Sequence, residues 1–214
     1  MINWKFPSHD LIKASINLAK ELGPCVWLDR TKYGDGILPI DHYNKNVDKL
    51  VKRKHSCDWE GLRKELKEHG IRNSTLTAVM PSESSAVSQN ATNGIEPIRD
   101  LLTFKGSKKG APPMLAPDCQ RIGHQYTLAY EMKDNLGYNN ICAVIQKWID
   151  QAISANHYYN QNMTDEDGNL PLSVVMKDIF YHYQMGGKTL YYANTDDGKT
   201  DEDDSGCVGG ACTL

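Results

Sequence analysis

Two cysteines near the end of the chain, Cys207 and Cys212, stand with Gly209 and Gly210 between them. They follow an acidic stretch, Asp196 to Ser205, that contains Gly198 and almost nothing apolar. Such a stretch cannot bury enough surface to offset the entropy of ordering it, so it reads as a mobile tether. Core packing does not explain thiols placed beyond a polar linker. The paired glycines let the intervening segment bend until the sulfurs meet. A dithiol on a tether can enter a buried site, reduce a disulfide there by exchange, and swing out to be reduced itself. The tether sets its effective concentration at the target. The alternative is a metal-binding tail, although two thiolates without a nearby Cys or His partner make a poor zinc site.

Two further places could carry chemistry. In Met80-Pro81-Ser82-Glu83-Ser84-Ser85 a β-rich run enters a serine-rich turn and then a helix start. Free N–H groups at a helix start favour an anion, and the hydroxyls of Ser82, Ser84 and Ser85 add donors. Ordinary N-capping by serine is the other reading, and Glu83 opposes an anion unless its side chain points away. Tyr191-Tyr192 is the second place. A tyrosine pair in a strand predicts one inward and one outward ring, and neighbouring phenols could also relay an electron and a proton.

The elements that must position these residues follow from periodicity. Asp10 to Leu22 is a predicted helix with Leu11, Ser15, Leu18 and Leu22 on one face, stopped by Gly23-Pro24. Asp58 to His69 is a second, with Asp58 as N-cap, Trp59, Leu62 and Leu66 inward, and Gly70 just past its end. Ser74 to Met80 is β-rich. Leu101 to Pro117 reads as a hairpin around Gly106-Ser107-Lys108-Lys109-Gly110. Asn139 to Ala155 carries an apolar stripe of Ile141, Val144, Ile145, Trp148, Ile149 and Ala152. Pro171 to Tyr183 carries another, of Leu172, Val175, Met176, Ile179, Phe180 and Tyr183, stopped by Gly186-Gly187. Thr189 to Tyr192 is a short strand. Helices alternating with strands predict an α/β class with a flexible tail.

Composition limits the function. The chain has 214 residues and a formal net charge of -3, which gives no strong pull toward nucleic acid. No apolar run is long enough to span a bilayer, and the first residues lack the apolar stretch of a signal peptide, so a cytoplasmic location is expected. Of the six cysteines, Cys25, Cys57, Cys119 and Cys142 are scattered singly and read as buried structural thiols.

Met80 to Pro97 (MPSESSAVSQNATNGIEP) resembles a segment of the large subunit of class I, aerobic ribonucleotide reductases. Gly36-Ile37-Leu38-Pro39-Ile40-Asp41, Arg72 to Leu76, Gln151 to Asn156 and Lys188 to Tyr192 are similar to that family in the same order, and the Cys-x4-Cys ending completes the likeness. The resemblance runs from about Leu11 onward. It implies the C-terminal half of a ten-stranded α/β barrel, with residues 1–10 as an unmatched extension, 11–194 as the barrel part and 195–214 as a flexible acidic redox tail. It implies a substrate diphosphate seated on Pro81, Ser82, Glu83, Ser84 and Ser85. Tyr191 and Tyr192 would be the last tyrosines of a radical path from the small subunit. Cys207 and Cys212 would re-reduce the active-site disulfide and draw electrons from thioredoxin or glutaredoxin.

The same resemblance marks what is missing. The family's radical cysteine, its substrate-reducing cysteine pair and its allosteric nucleotide sites all lie N-terminal to the matched region. This chain is therefore expected to be inactive alone and to bind no cofactor or metal itself. The dimetal–tyrosyl radical would sit in the small subunit, and a bacterial or phage-infected cell is the expected setting. Half a barrel leaves strand edges uncovered, so an N-terminal piece of the large subunit is the expected partner, with a split subunit favoured over a deliberately shortened polypeptide. Nucleic acid and membrane are not expected partners. Two other classes stay open: a non-catalytic module binding reductase subunits, and a free-standing thiol oxidoreductase using the tail cysteines.

Overall fold

A computed structural model describes residues 5–51, 57–82, 84–104 and 113–196. Its elements run α1 (Lys5–Leu22), α2 (Trp59–His69), α3 (Ser84–Ser88), β1 (Leu102–Phe104), β2 (Pro113–Leu115), α4 (Cys119–Ile122), α5 (Leu136–Gln146), β3 (Ser154–Tyr159), α6 (Leu172–Gln184) and β4 (Thr189–Thr195), with short 3-10 turns between them. The class is mixed α/β. The strands form two two-stranded sheets, β1 with β2 and β3 with β4, and among the described residues no barrel closes. The chain divides into two compact units. One comprises Met1–Val79, Asn139–Ala155 and Asp178–Tyr191; the other comprises Met80–Tyr138, Asn156–Lys177 and Tyr192–Leu214.

The first unit is built on α1 and α2. Its core joins Ile12 and Ile16 of α1 to Trp59, Leu62 and Leu66 of α2, with Tyr33, Leu38 and Ile71 between them. α1 begins at Lys5, earlier than the expected Asp10. Its buried residues are Ser8, Ile12, Ser15, Ile16 and Ala19, whereas Leu11, Leu18 and Leu22 are exposed. Two apolar stripes share this helix, and contact with α2 selects the isoleucine stripe. Buried Ser15 is satisfied: its hydroxyl donates to Asn73 Oδ1 at 2.8 Å and accepts the Asn73 N–H at 3.1 Å. α2 follows expectation, with the Asp58 carboxylate accepting the Gly61 N–H at 2.8 Å and Gly70 ending the helix at φ +69°.

Ser74 to Met80 joins no strand ladder. Its backbone donors are taken by a side chain instead. The Asp150 carboxylate accepts the Leu76 N–H at 2.7 Å, the Thr77 N–H at 3.1 Å and the Tyr33 hydroxyl, while the Thr77 carbonyl accepts the Gln151 N–H at 3.1 Å. Burial, and then the Asp150 charge, push the Tyr33 phenol far above its usual range.

α5 ends at Gln146, well short of the expected Ala155. The Gln146 amide accounts for the stop. Its Nε2 donates to the carbonyls of Ile149 at 3.2 Å and Gln151 at 2.8 Å, and its Oε1 accepts the Ile153 N–H at 2.9 Å. The loop's backbone is thereby satisfied without helix. Ile145 and Ile149 are still buried, but Ile141 faces out.

α6 is shifted by one residue from its expected bounds, and its expected apolar face is largely exposed. Leu172, Met176, Phe180 and Tyr183 are exposed and Val175 and Ile179 half-buried, while Asp178 and His182 are buried. His182 Nδ1 lies 3.0 Å from Asn139 Oδ1. Gly187 is required beside it, because a Cβ there would stand 2.0 Å from His182 Nε2.

In the second unit the expected hairpin is present: β1 and β2 are antiparallel, with Leu102 opposite Leu115 and Phe104 opposite Pro113. Its turn, Gly106 to Gly110, lies outside the described residues. Buried Asn135 brackets Tyr158, donating to its carbonyl at 3.1 Å and accepting its N–H at 2.9 Å. Asn160 donates to the carbonyls of Tyr130 at 2.8 Å and Met132 at 2.9 Å.

Candidate functional site

The serine turn sits in the second unit. Pro81, Ser82 and Ser85 are exposed, α3 starts at Ser84, and Glu83 lies outside the described residues. Two of the backbone donors expected to face an anion are committed. The Ser82 N–H donates to the Asn93 carbonyl at 2.9 Å, and the Ser85 N–H donates to the Ser82 carbonyl at 3.0 Å. The helix is also short, so its terminal dipole is small. It closes through Asn90 at φ +48°, with the Ala91 N–H donating to the Ala86 carbonyl at 2.9 Å. An anion at this turn therefore depends on the exposed serine hydroxyls more than on the N–H array that the pattern suggests.

The two tyrosines lie in β4. Both are exposed, Tyr191 by 54% and Tyr192 by 44%, which corrects the expectation of one inward and one outward ring. β4 belongs to a two-stranded sheet, and so small a sheet need not cover either face.

The second unit ties the serine-turn segment and Tyr192 into one hydrogen-bonded frame. Glu96, close behind the serine turn, accepts the Tyr158 hydroxyl on Oε2 at 2.6 Å and the Asn156 Nδ2 on Oε1 at 2.7 Å. Asn156 in turn accepts the Tyr192 N–H on Oδ1 at 2.9 Å. Arg99 donates to Asn194 Oδ1 at 3.3 Å, and the Asn194 amide donates to the His157 carbonyl at 3.3 Å. The C-terminal ends of β3 and β4 are held side by side, with the Asp196 N–H donating to the Tyr159 carbonyl at 2.9 Å. Burial raises the Tyr158 phenol above its usual range, and its bond to Glu96 raises it further. Sequence reasoning did not single out Glu96 or Asn156. The available signal was their place at the ends of Met80–Pro97 and Gln151–Asn156.

Cys207 and Cys212 lie outside the described residues. Of Cys25, Cys57, Cys119 and Cys142 only Cys142 is buried; the other three are half-buried rather than sequestered as expected. Among the described residues no group of three or more His, Cys, Asp or Glu side chains could hold a metal ion, and no helix is long and apolar enough to cross a membrane.

Comparison with known proteins defines the class. The family model described as "Ribonucleotide reductase, barrel domain" matches residues 7–121 and 114–193. The chain belongs to that family. It is 48% identical over 207 residues to the ribonucleoside-diphosphate reductase subunit alpha of Haemophilus influenzae, covering 95% of this chain and 27% of that protein. It is 45% identical over 212 residues to ribonucleoside-diphosphate reductase 1 subunit alpha of Escherichia coli, covering 95% of this chain and 28% of that protein. The corresponding subunit alpha of enterobacteria phage T4 is 42% identical over 197 residues, or 91% of this chain and 26% of that protein. The chain thus spans little more than a quarter of the length of the curated relatives it matches.

Proposed function

We propose that this chain is the C-terminal component of a ribonucleoside-diphosphate reductase large subunit, contributing to the reduction of ribonucleoside diphosphates to 2'-deoxyribonucleoside diphosphates by radical chemistry. The observation that carries the proposal is 48% identity over 95% of the chain to a subunit of that name. In this reading the described strands and helices are part of a ten-stranded α/β barrel, completed by an N-terminal large-subunit polypeptide. A small subunit with a dimetal–tyrosyl radical starts the chemistry.

Each group then has a defined task. Pro81, Ser82, Glu83, Ser84 and Ser85 seat the substrate diphosphate; the exposed hydroxyls of Ser82 and Ser85 suit that task. Tyr191 and Tyr192 pass one electron and one proton at a time, and their exposure on β4 suits exchange with a neighbouring subunit. Cys207 and Cys212 act by thiol–disulfide exchange. One tail thiolate attacks a sulfur of the active-site disulfide and forms a mixed disulfide. The second tail thiol displaces it, leaving a dithiol in the site and a disulfide on the tail. Two electrons and two protons have then moved inward, and thioredoxin or glutaredoxin restores the tail.

The test is reconstitution. The purified chain is mixed with a polypeptide carrying the rest of the large subunit and with the small subunit, and deoxynucleoside diphosphate formation is measured. Activity is expected only in the complete mixture. Replacing Tyr191 with Phe should lower turnover at least a hundredfold without altering co-elution of the components. A chain that remains a stable monomer and binds neither subunit overturns the proposal. Reduction of insulin disulfides by the isolated chain would point to the free-standing thiol oxidoreductase instead.

A further inference from the structure

We infer that Asn156, fixed by Glu96, is a positioning residue that sets the backbone of Tyr192 and links the serine turn to the tyrosine strand. The inference rests on the proposed role of Tyr192 for its functional consequence, but its geometric part stands without it.

The Asn156 amide has a fixed direction. An amide has one accepting and one donating end, and here both are engaged. Oδ1 accepts the Tyr192 N–H at 2.9 Å and Nδ2 donates to Glu96 Oε1 at 2.7 Å. The Glu96 carboxylate therefore dictates which way the amide points, and so presents an acceptor to β4. The carboxylate is itself held, because its other oxygen accepts the hydroxyl of buried Tyr158 at 2.6 Å. Tyr158 cannot move freely: Asn135 clamps its carbonyl and its N–H, and Tyr130 packs edge-on at 5.6 Å. Rigidity thus passes from the buried Tyr158 to Glu96, then to Asn156, then to the backbone of Tyr192. At the other end Glu96 closely follows Asn93, whose carbonyl holds the Ser82 N–H at 2.9 Å. Tyr192 and the serine turn share one frame through contacts within a single compact unit.

The Asp196 N–H, one residue past β4, donates to the Tyr159 carbonyl at 2.9 Å, and the Tyr192 N–H donates to Asn156 Oδ1. The two amides separate a positioning role from general stability. In the full-length chain, Asn156→Ala should speed hydrogen exchange at the Tyr192 amide about tenfold, the cost of one charge-linked hydrogen bond, and leave Asp196 unchanged. Asn156→Asp places a carboxylate against Glu96. It should loosen Tyr192 as well, and Glu96→Gln should restore protection in the double variant, because a glutamine amide can donate to the new carboxylate. In the reconstituted reductase the single variants should lower kcat with little change in KM for the diphosphate, and the double variant should recover it.

Equal acceleration at Tyr192 and Asp196, or no rescue by Glu96→Gln, overturns the inference. The exchange measurement needs no reductase activity. Rescue of exchange without any effect on turnover in an active mixture would therefore remove the functional role of the frame while leaving its geometry intact. An inactive wild-type mixture bears on the reductase reading alone, and the exchange arms still decide the positioning.

Discussion

Single side chains hold the loops of the first unit. Asp150 is a half-buried carboxylate that gathers the Tyr33 hydroxyl and two backbone N–H groups of a segment that joins no ladder. Tyr33→Phe should cost roughly 1.5–3 kcal/mol in urea unfolding, the usual range for a hydrogen bond to a charged group. Asp150→Ala should cost more, because it also leaves the Leu76 and Thr77 donors without their acceptor. Glu65 is the acid-sensitive position. Hydrogen bonds from Lys13 and then Lys20 hold its carboxyl at about 2, against an ordinary 4.5. Its folded value is depressed, so its contribution is complete above the ordinary value and is lost as pH falls toward 2. The pair is partly solvated, so the loss should stay below about 1 kcal/mol. Glu65→Gln should remove that slope from stability measured between pH 5 and pH 2, and an unchanged slope would refute the assignment. Neither partnership was legible beforehand, because Asp150 and Tyr33, or Glu65 and Lys13, become neighbours only when distant segments meet.

Among the elements, α2 was fully readable and α6 was readable only in extent. α2 has one amphipathic stripe, a cap at Asp58 and a stop at Gly70, and all three point to the same boundaries. α6 has an apolar stripe that the described fold leaves largely exposed and a polar pair, Asp178 and His182, that it buries. Periodicity reports that two faces differ; which one turns inward depends on what it meets. The consequence can be measured. Phe180→Ser should change the stability of the isolated chain by no more than about 0.5 kcal/mol, as for an ordinary surface position. His182→Ala should cost about 1–3 kcal/mol by leaving the groups it serves unsatisfied. The opposite ranking would mean that the apolar face is the buried one in solution. α5 teaches the same lesson about length: the apolar stripe continues past Gln146, but that side chain supplies the loop's hydrogen bonds and the helix ends.

For the molecule as a whole, the proposed chemistry is distributed between polypeptides, and its predictions need the assembled enzyme. Cys207→Ser or Cys212→Ser should abolish turnover driven by thioredoxin while sparing turnover with a small dithiol that reaches the site directly. Loss of activity with both reductants would place the cysteines outside the proposed relay. Family membership and the order of the chemical motifs were readable from residue types alone, because local motifs survive in the linear chain. So were the hairpin and the capped helix, whose signals lie within a few residues. Which stripe of α1 and α6 is buried, where α5 stops, and that Asn156 holds the backbone of Tyr192 were decided only by the tertiary structure. Each depends on a partner distant in sequence, and a hydrogen-bond acceptor or an apolar surface has no address in the chain until folding brings it there.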